Sequence, residues 1–430
     1  MEVKMPGAKP ELNEKDTNQN LEYESASLED LVPDFSDVDE KKLLRKIDFR
    51  VLPLFTIIYL ISFLDRGNIG AAKIEGLPQD LNLQSQQYNN CLTVFFIFYS
   101  CAEIPSNIIL KHVKPSLFMV SAMILWGIVM TLTGLVKNYG GLIVCRSLLG
   151  ILEAPLFPVF PDFPQTAKFL NDRERDLIDK NAVENLNRKA PVGEDHSNKP
   201  KYIWAVFKDW QCWASVFMYF ALAIPIYGLS LFAPTIINNL GYTATKAQLL
   251  TAPVYIAAAI ISIVQAYYSG VVGVRAPFII VNFLFELVGF IICISMSPAT
   301  HPKSIYAALF IIALGAYPAL PVVIVWLSNN VSGSYKRAVA IAFQIGFGNF
   351  GGIVSSNIYR AQDAPRFLLG HGIQILFVSL GIIAATASLI GYSVSNSKNS
   401  KKIQTGAYDN YSDEELLEMG DKSPYFVYRL

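Results

Sequence analysis

The string CRSLLGILEAPLFP carries two ionisable residues, Arg146 and Glu153, seven positions apart. On a helix that spacing sets both on one face, and Gly150 between them would admit a neighbouring helix. A guanidinium on a cavity face suits an anion, because it grips a carboxylate at two points. An internal salt bridge that merely fixes helix packing is the equal alternative. Asp65, Arg66 and Asn68 fall together in LDRGNIG. They read either as an interfacial ion pair capping a helix or as an outer gate and proton element, with Gly67 and Gly70 allowing close packing. Glu103, in EIPSNIILK, is followed by Lys111 and Lys114. It reads as an inner-gate charge beside Glu153, or as ordinary interfacial charge. Glu286 lies in VNFLFELVGF, as a proton-titrating carboxylate or a neutral, hydrogen-bonded structural one. Tyr227, Trp326, Gln344 and Asn349 could bond or stack on a planar ligand, although for each taken singly helix packing is the stronger reading. Lys336 and Arg337 join the gating charges.

These groups matter because of what must hold them. The 430 residues are 52% hydrophobic and only 16% charged, with no net charge, whereas a soluble domain carries about 25% charged residues. The charges crowd into the first fifty residues, a block at 161–209, and the tail. A helix needs about 20 apolar residues to span a bilayer. Runs of that kind fall at 51–69, 91–110, 117–136, 142–160, 212–237, 249–272, 278–296, 305–327, 338–358 and 373–394. They are continuously apolar, so they predict helices; barrel strands would alternate. The expectation is an all-α membrane protein of about ten spans, four plus six. An ionisable residue within such a span costs roughly 3 kcal/mol or more at the centre and ordinarily faces a wet cavity or a partner.

The organisation expected is an N-terminal tail (1–45), a four-helix bundle (46–160), a linker with a polar helix in NDRERDLIDKNAVENLNRK (161–209), a six-helix bundle (210–396) and a C-terminal tail (397–430). Both tails read as mostly disordered from their polarity. Lys and Arg concentrate before the first span, after the second, fourth and eighth, so both termini are expected on the cytoplasmic side. The polar N-terminus does not read as a cleavable signal peptide. Pro318 and Pro321 would interrupt a helix where polar partners can repair it, and Gly346, Gly348, Gly351 and Gly352 would give a face that can slide or rock.

Other classes find no support. No basic patch suggests nucleic acid. No phosphate loop, HExxH or CxxC is present. The four histidines, His112, His196, His301 and His371, are too scattered for a metal, and the five cysteines read as small buried hydrophobes. No enzyme, metal or cofactor is expected.

Several strings resemble the fungal allantoate permease family of anion:cation symporters, within the major facilitator superfamily, and its nicotinate-transporter-like branch in particular. They are LLRKIDFRVLPLFTIIYLISFLDRGNIGAAKIEGL, QYNNCLTVFFIFYSCAEIPSNIILK, CRSLLGILEAPLFP, WLSNNVSGSYKRAVAIAFQIGFGNFGGIVSSNIY with DAPRFLLGHG, and GDKSPYFVYRL. Residues 65–68, Arg146, Gly150 and Glu153 match the family pattern position by position. The resemblance implies a plasma-membrane secondary transporter that moves a small organic anion, such as a vitamin-like carboxylate, with a proton or another cation. It implies anion attraction for Arg146, coupling or gating for Asp65 and Glu153, and cavity lining for Asn349, Trp326 and Tyr227. Two departures stand out. LEAPLFPVF runs straight into PDFPQTAKFLNDRERDL, as if the family's fifth and sixth spans were missing between Phe160 and Pro161. Gly270, Val271 and Val272 also replace an Asp-Arg gate pair, while Arg275 remains. A transport-inactive variant or a sensor is therefore the alternative reading.

Overall fold

The computed structural model describes residues 39–109, 115–156, 199–406 and 419–430, with isolated positions between them. The linker helix, His112, His196, Lys111, Lys114, and the junction at Phe160 and Pro161 lie outside the described residues. Twelve principal helices are described: α1 (Glu40–Ile74), α2 (Ser85–Ile109), α3 (Pro115–Thr133), α4 (Tyr139–Glu153), α5 (Lys199–Lys208), α6 (Trp210–Asn238), α7 (Ala244–Val272), α8 (Ala276–Ser295), α9 (Pro302–Asn330), α10 (Ser334–Gly348), α11 (Gly351–Ile358) and α12 (Leu368–Gln404). Six spans are long and apolar enough to cross a membrane: α6, α7, α8, α9, the α10–α11 pair and α12. Helices also lie on the first four expected runs, the fourth as far as Leu156.

The chain falls into two units. In the smaller, Met1–Leu54 with Pro164–Asn181, Lys46 pairs with Glu174 at 2.7 Å. That ammonium holds the Glu174 carboxyl below the ordinary carboxylate range, helped by the Asn171 amide.

In the larger unit α6 is buried along nearly its whole length and packs on α7, α9, α10, α11 and α12. Because almost all of α6 is covered, with Trp210 and Phe217 the large exposed side chains, its sequence is apolar nearly all round. Helices α7, α8 and α12 instead turn apolar side chains outward; Ile263 is 72% exposed and Ile383 62%. A belt of that kind suits lipid rather than water. Gly150 lets α4 lie against α2, since a Cβ there would sit 2.5 Å from the Phe95 carbonyl oxygen. Gly352 and Gly348 admit the rings of Phe96 and Tyr219, bringing α11 onto α2 and α10 onto α6. Helix α9 continues through Pro318 and Pro321, and Gln265 donates to the Pro318 carbonyl at 3.2 Å. Polar side chains thus reach the backbone near these prolines, as in other buried, proline-containing spans.

The end of the chain differs from the disorder expected of it. Helix α12 runs on to Gln404, and residues 419–430 form a strap against the bundle. Asp421 is buried between Lys336 (2.8 Å) and Gln211 (2.5 Å), and Lys336 also pairs with Asp209. The Arg429 carbonyl accepts from Trp326 Nε1 (2.9 Å) and Asn330 Nδ2 (3.0 Å), while the Arg429 amide donates to Asn330 Oδ1 (2.7 Å). Tyr428 exchanges two bonds with Asn396 and stacks on Tyr392 at 5.1 Å. Composition read this segment as solvated. Its order comes from side chains on α6, α9, α10 and α12 that satisfy the strap backbone one group at a time.

Candidate functional site

Helices α1, α2 and α4 approach α6 and α10 around a line of buried polar groups. Glu153, at the last turn of α4, accepts a short hydrogen bond from Ser62 and pairs with Arg66 Nε at 2.7 Å. Arg66 NH1 donates to the Tyr227 hydroxyl at 3.5 Å, and that hydroxyl donates to Asn349 Oδ1 at 2.8 Å. Asn349 Nδ2 completes the line by donating to Glu103 Oε2 at 3.1 Å. All six residues are buried or nearly so, from 1% exposed at Glu153 to 8% at Arg66.

Local sequence explains the placement. Ser62 and Arg66 are one turn apart on α1, so both reach the same carboxylate. Around the Arg66 guanidinium stand the rings of Tyr99 (4.7 Å), Phe63 (5.6 Å) and Phe95 (5.9 Å), which add cation–π attraction where water is excluded. Asn349 closes α10 at the short break before α11, and the Phe96 ring lies 4.6 Å from that of Tyr227.

Arg146 behaves differently. Its side chain is 5% exposed, and among the described residues it makes no hydrogen bond or ion pair; Nε is buried without any acceptor. It lies in the electrostatic field of Glu153 and Asp65 without bonding to either. The carboxylate that spacing alone offered it belongs instead to Arg66. Both guanidinium-bearing side chains border one small cavity, walled otherwise by Ile69, Leu92, Phe95 and Leu231 with Phe96. A buried, unsatisfied guanidinium beside a cavity is a ready acceptor for an anion, since leaving it unpaired is costly.

The other sequence candidates lie apart from this line. Asp65 is half-buried and accepts from Asn68 at 3.2 Å. Trp326 donates to the strap, and Gln344 donates to Ser215 at 2.6 Å. Lys336 holds Asp209 and Asp421, and Arg337 bonds the Val331 carbonyl. Glu286 is fully buried between α8 and α9, with no hydrogen-bond partner for either oxygen. Arg275 donates to Ser269 at 2.7 Å. Among the described residues no cluster could hold a metal. Sequence reasoning passed over Ser62, which carries no signal beyond its i,i+4 spacing to Arg66.

About four-fifths of the chain superposes on solved transporters. It matches a bacterial homologue of the human lysosomal transporter Spinster, solved inward-facing and unoccupied, with a TM-score of 0.57 at 13% identity, over 79% of this chain and 96% of that one. The two chains share a fold. The nucleoside transporter NupG matches with a TM-score of 0.52 at 11% identity, over 78% and 98% of the two chains. In sequence, residues 55–161 match the Major Facilitator Superfamily. The chain is 29% identical to the high-affinity nicotinic acid transporter of Saccharomyces cerevisiae, over 93% of this chain and 87% of that protein. It is 29% identical to the MFS-type transporter cnsO of Penicillium expansum, over 92% of each. These similarities point to a multi-pass membrane transporter and away from an enzyme.

Proposed function

We propose that this chain moves a small organic anion, a carboxylate of the nicotinate or allantoate kind, across the plasma membrane together with a proton or other cation. In this reading Arg146 receives the anion, Asp65 and Glu153 couple or gate, and the line from Glu153 to Glu103 links the two helical halves. One observation carries it: among the described residues Arg146 is a buried guanidinium without a carboxylate bonded to it, at the wall of a cavity. The substrate in the yeast relative's name, nicotinic acid, supports this class of substrate. Alternating access would rock one half against the other around this site, with both chain termini on the cytoplasmic face. The test is uptake of radiolabelled nicotinate and related acids into proteoliposomes, with and without an inward proton gradient. Arg146→Ala should abolish uptake and Arg146→Lys should impair it, because lysine offers a point charge in place of a two-point grip. Unchanged uptake in both variants would remove Arg146 from the mechanism.

A second reading, a shortened and transport-inactive relative, has its own observation. The alignment to the nicotinic acid transporter spans 470 positions yet takes in only 93% of a 430-residue chain, so this chain carries gaps against that relative. A protein that folds and reconstitutes but moves no anion under any gradient would favour it.

A further inference from the structure

We propose that Lys73 is a second anion-binding side chain, an entry subsite that receives the substrate carboxylate before it reaches Arg146. This rests on the anion-transport reading above. Lys73 lies on α1 seven residues beyond Arg66, about two turns and roughly 10 Å further along the same helix face. Ile69, between them on that face, walls the cavity. The Lys73 ammonium sits 4.6 Å from the centre of the Tyr88 ring and 5.1 Å from that of Phe232. Each ring is tied to a residue of the cavity wall. Tyr88 donates its hydroxyl to the Ile69 carbonyl at 3.1 Å, and Phe232 follows Leu231, another cavity wall. Arg146 also acts electrostatically on Tyr88.

Among the described residues nothing neutralises Lys73: it has neither an ion pair nor a hydrogen bond, although it is half-buried. The nearest acid along the chain, Glu75, accepts instead from Gln248 at 3.1 Å. Ring faces attract an ammonium but do not satisfy its three donors. A carboxylate would, and the face from Lys73 to Arg66 would then lead it past apolar walls toward Arg146. A lone cation in a low-dielectric mouth raises the local concentration of anions and speeds their arrival. The aromatic pair also seats a planar acid flat while its carboxylate meets the ammonium.

The experiment compares Lys73→Met, which keeps the stem and removes the charge, with Lys73→Arg, which keeps the charge. Both are reconstituted beside the wild type and Arg146→Ala. Initial uptake is measured for labelled nicotinate and a panel of other monocarboxylates, at low and high salt. Lys73→Met should raise KM on the order of tenfold, the lower end of electrostatic steering, with Vmax retained. It should also lose the fall in uptake that added salt causes in the wild type. Lys73→Arg should stay within a few-fold of the wild type. If Lys73 only packs its stem, Lys73→Met will match the wild type in KM and salt response, and the proposal falls while an Arg146→Ala defect leaves the anion reading standing. If Lys73→Met lowers Vmax with KM unchanged, or Lys73→Arg is as defective as Lys73→Met, the subsite is likewise refuted. If the wild type takes up no carboxylate, the anion reading fails and the subsite fails with it.

Discussion

Replacing Glu153 by glutamine is a sharp test of how the site is held together. The change keeps the size of the side chain and an acceptor oxygen, so Ser62 can still donate. It removes the negative charge that faces Arg66 at 2.7 Å, where the two side chains are 8% and 2% exposed. Breaking a buried pair by removing one partner costs about 3–5 kcal/mol, because the other charge is left uncompensated. The cation–π contacts of the rings around the guanidinium, about 2 kcal/mol when desolvated, exist in both proteins and cancel. Since glutamine still accepts one hydrogen bond, the lower end, about 3 kcal/mol, is expected. The assay is thermal unfolding in detergent, followed by a thiol-reactive dye that reports exposure of buried Cys91, Cys212 and Cys293 after the exposed Cys101 is changed to serine. Glu153→Gln should melt several degrees lower than its parent. The double variant Arg66→Met with Glu153→Met should regain most of the loss, because removing both charges removes the desolvation cost as well. Equal melting of Glu153→Gln and the parent would refute the argument, as would a double variant no better than the single one.

The strap makes a similar prediction. Asp421→Asn leaves Lys336 with Asp209 alone and weakens a charged hydrogen bond, which should cost about 1.5–3 kcal/mol and open the segment from 419 onward to limited proteolysis. At Gly150 a methyl group would meet the Phe95 backbone, so Gly150→Ala should destabilise by about 1–3 kcal/mol and weaken cross-linking between cysteines placed on α2 and α4. In the smaller unit the pH response has a definite sign. Lys46 lowers the folded Glu174 below an unfolded carboxyl near about 4.3, so the pair stabilises above that range and is lost as pH falls through the folded value. Exchange protection factors at residues 171, 173, 174 and 177, with the intrinsic pH dependence of exchange divided out, should therefore be unchanged from pH 7 to 5 and fall below about 4, and Glu174→Gln should remove the step.

Helix positions were readable because a bilayer leaves one solution for a continuous apolar run: every backbone group must bond within its own helix. The site was readable in part, for a related reason. A charge in such a run is expensive enough to need a purpose, and Arg66, Glu103, Arg146 and Glu153 all converge on one region. Which carboxylate serves which guanidinium was not readable. Spacing on one helix offered Glu153 to Arg146, whereas packing of α1 against α4 delivers it to Arg66. Polarity misled at the tail, since Asp421, Tyr428 and Arg429 are ordered by partners on four distant helices. Trp326 and Gln344 went astray for the same reason: a donor on an apolar helix finds any nearby acceptor, and here these are the strap carbonyl and Ser215.

If the two halves rock as proposed, the polar line has natural breaking points. Ser62, Arg66, Glu103 and Glu153 belong to helices α1, α2 and α4, while Tyr227 and Asn349 belong to α6 and the end of α10. Within this line two bonds cross between the sets, Arg66 to Tyr227 at 3.5 Å and Asn349 to Glu103 at 3.1 Å, and Thr93 of α2 adds bonds to Ser356 (2.9 Å) and Asn357 (2.7 Å) of α11. The short bonds, Arg66 to Glu153 at 2.7 Å and Tyr227 to Asn349 at 2.8 Å, stay within one set each. Separating the halves would thus spare both buried partnerships and break the two longest contacts of the line. Hydrogen bonds to charged groups contribute about 1.5–3 kcal/mol each, so the crossing costs a few kcal/mol, a gap across which a minor state remains populated. Tyr227→Phe removes one crossing bond, together with the bond to Asn349 within its own half, and leaves every charge in place. It should shift cross-linking between α1 and α6 toward the separated state by roughly tenfold, the equivalent of about 1.4 kcal/mol, and no shift would mean that the line does not hold the halves together.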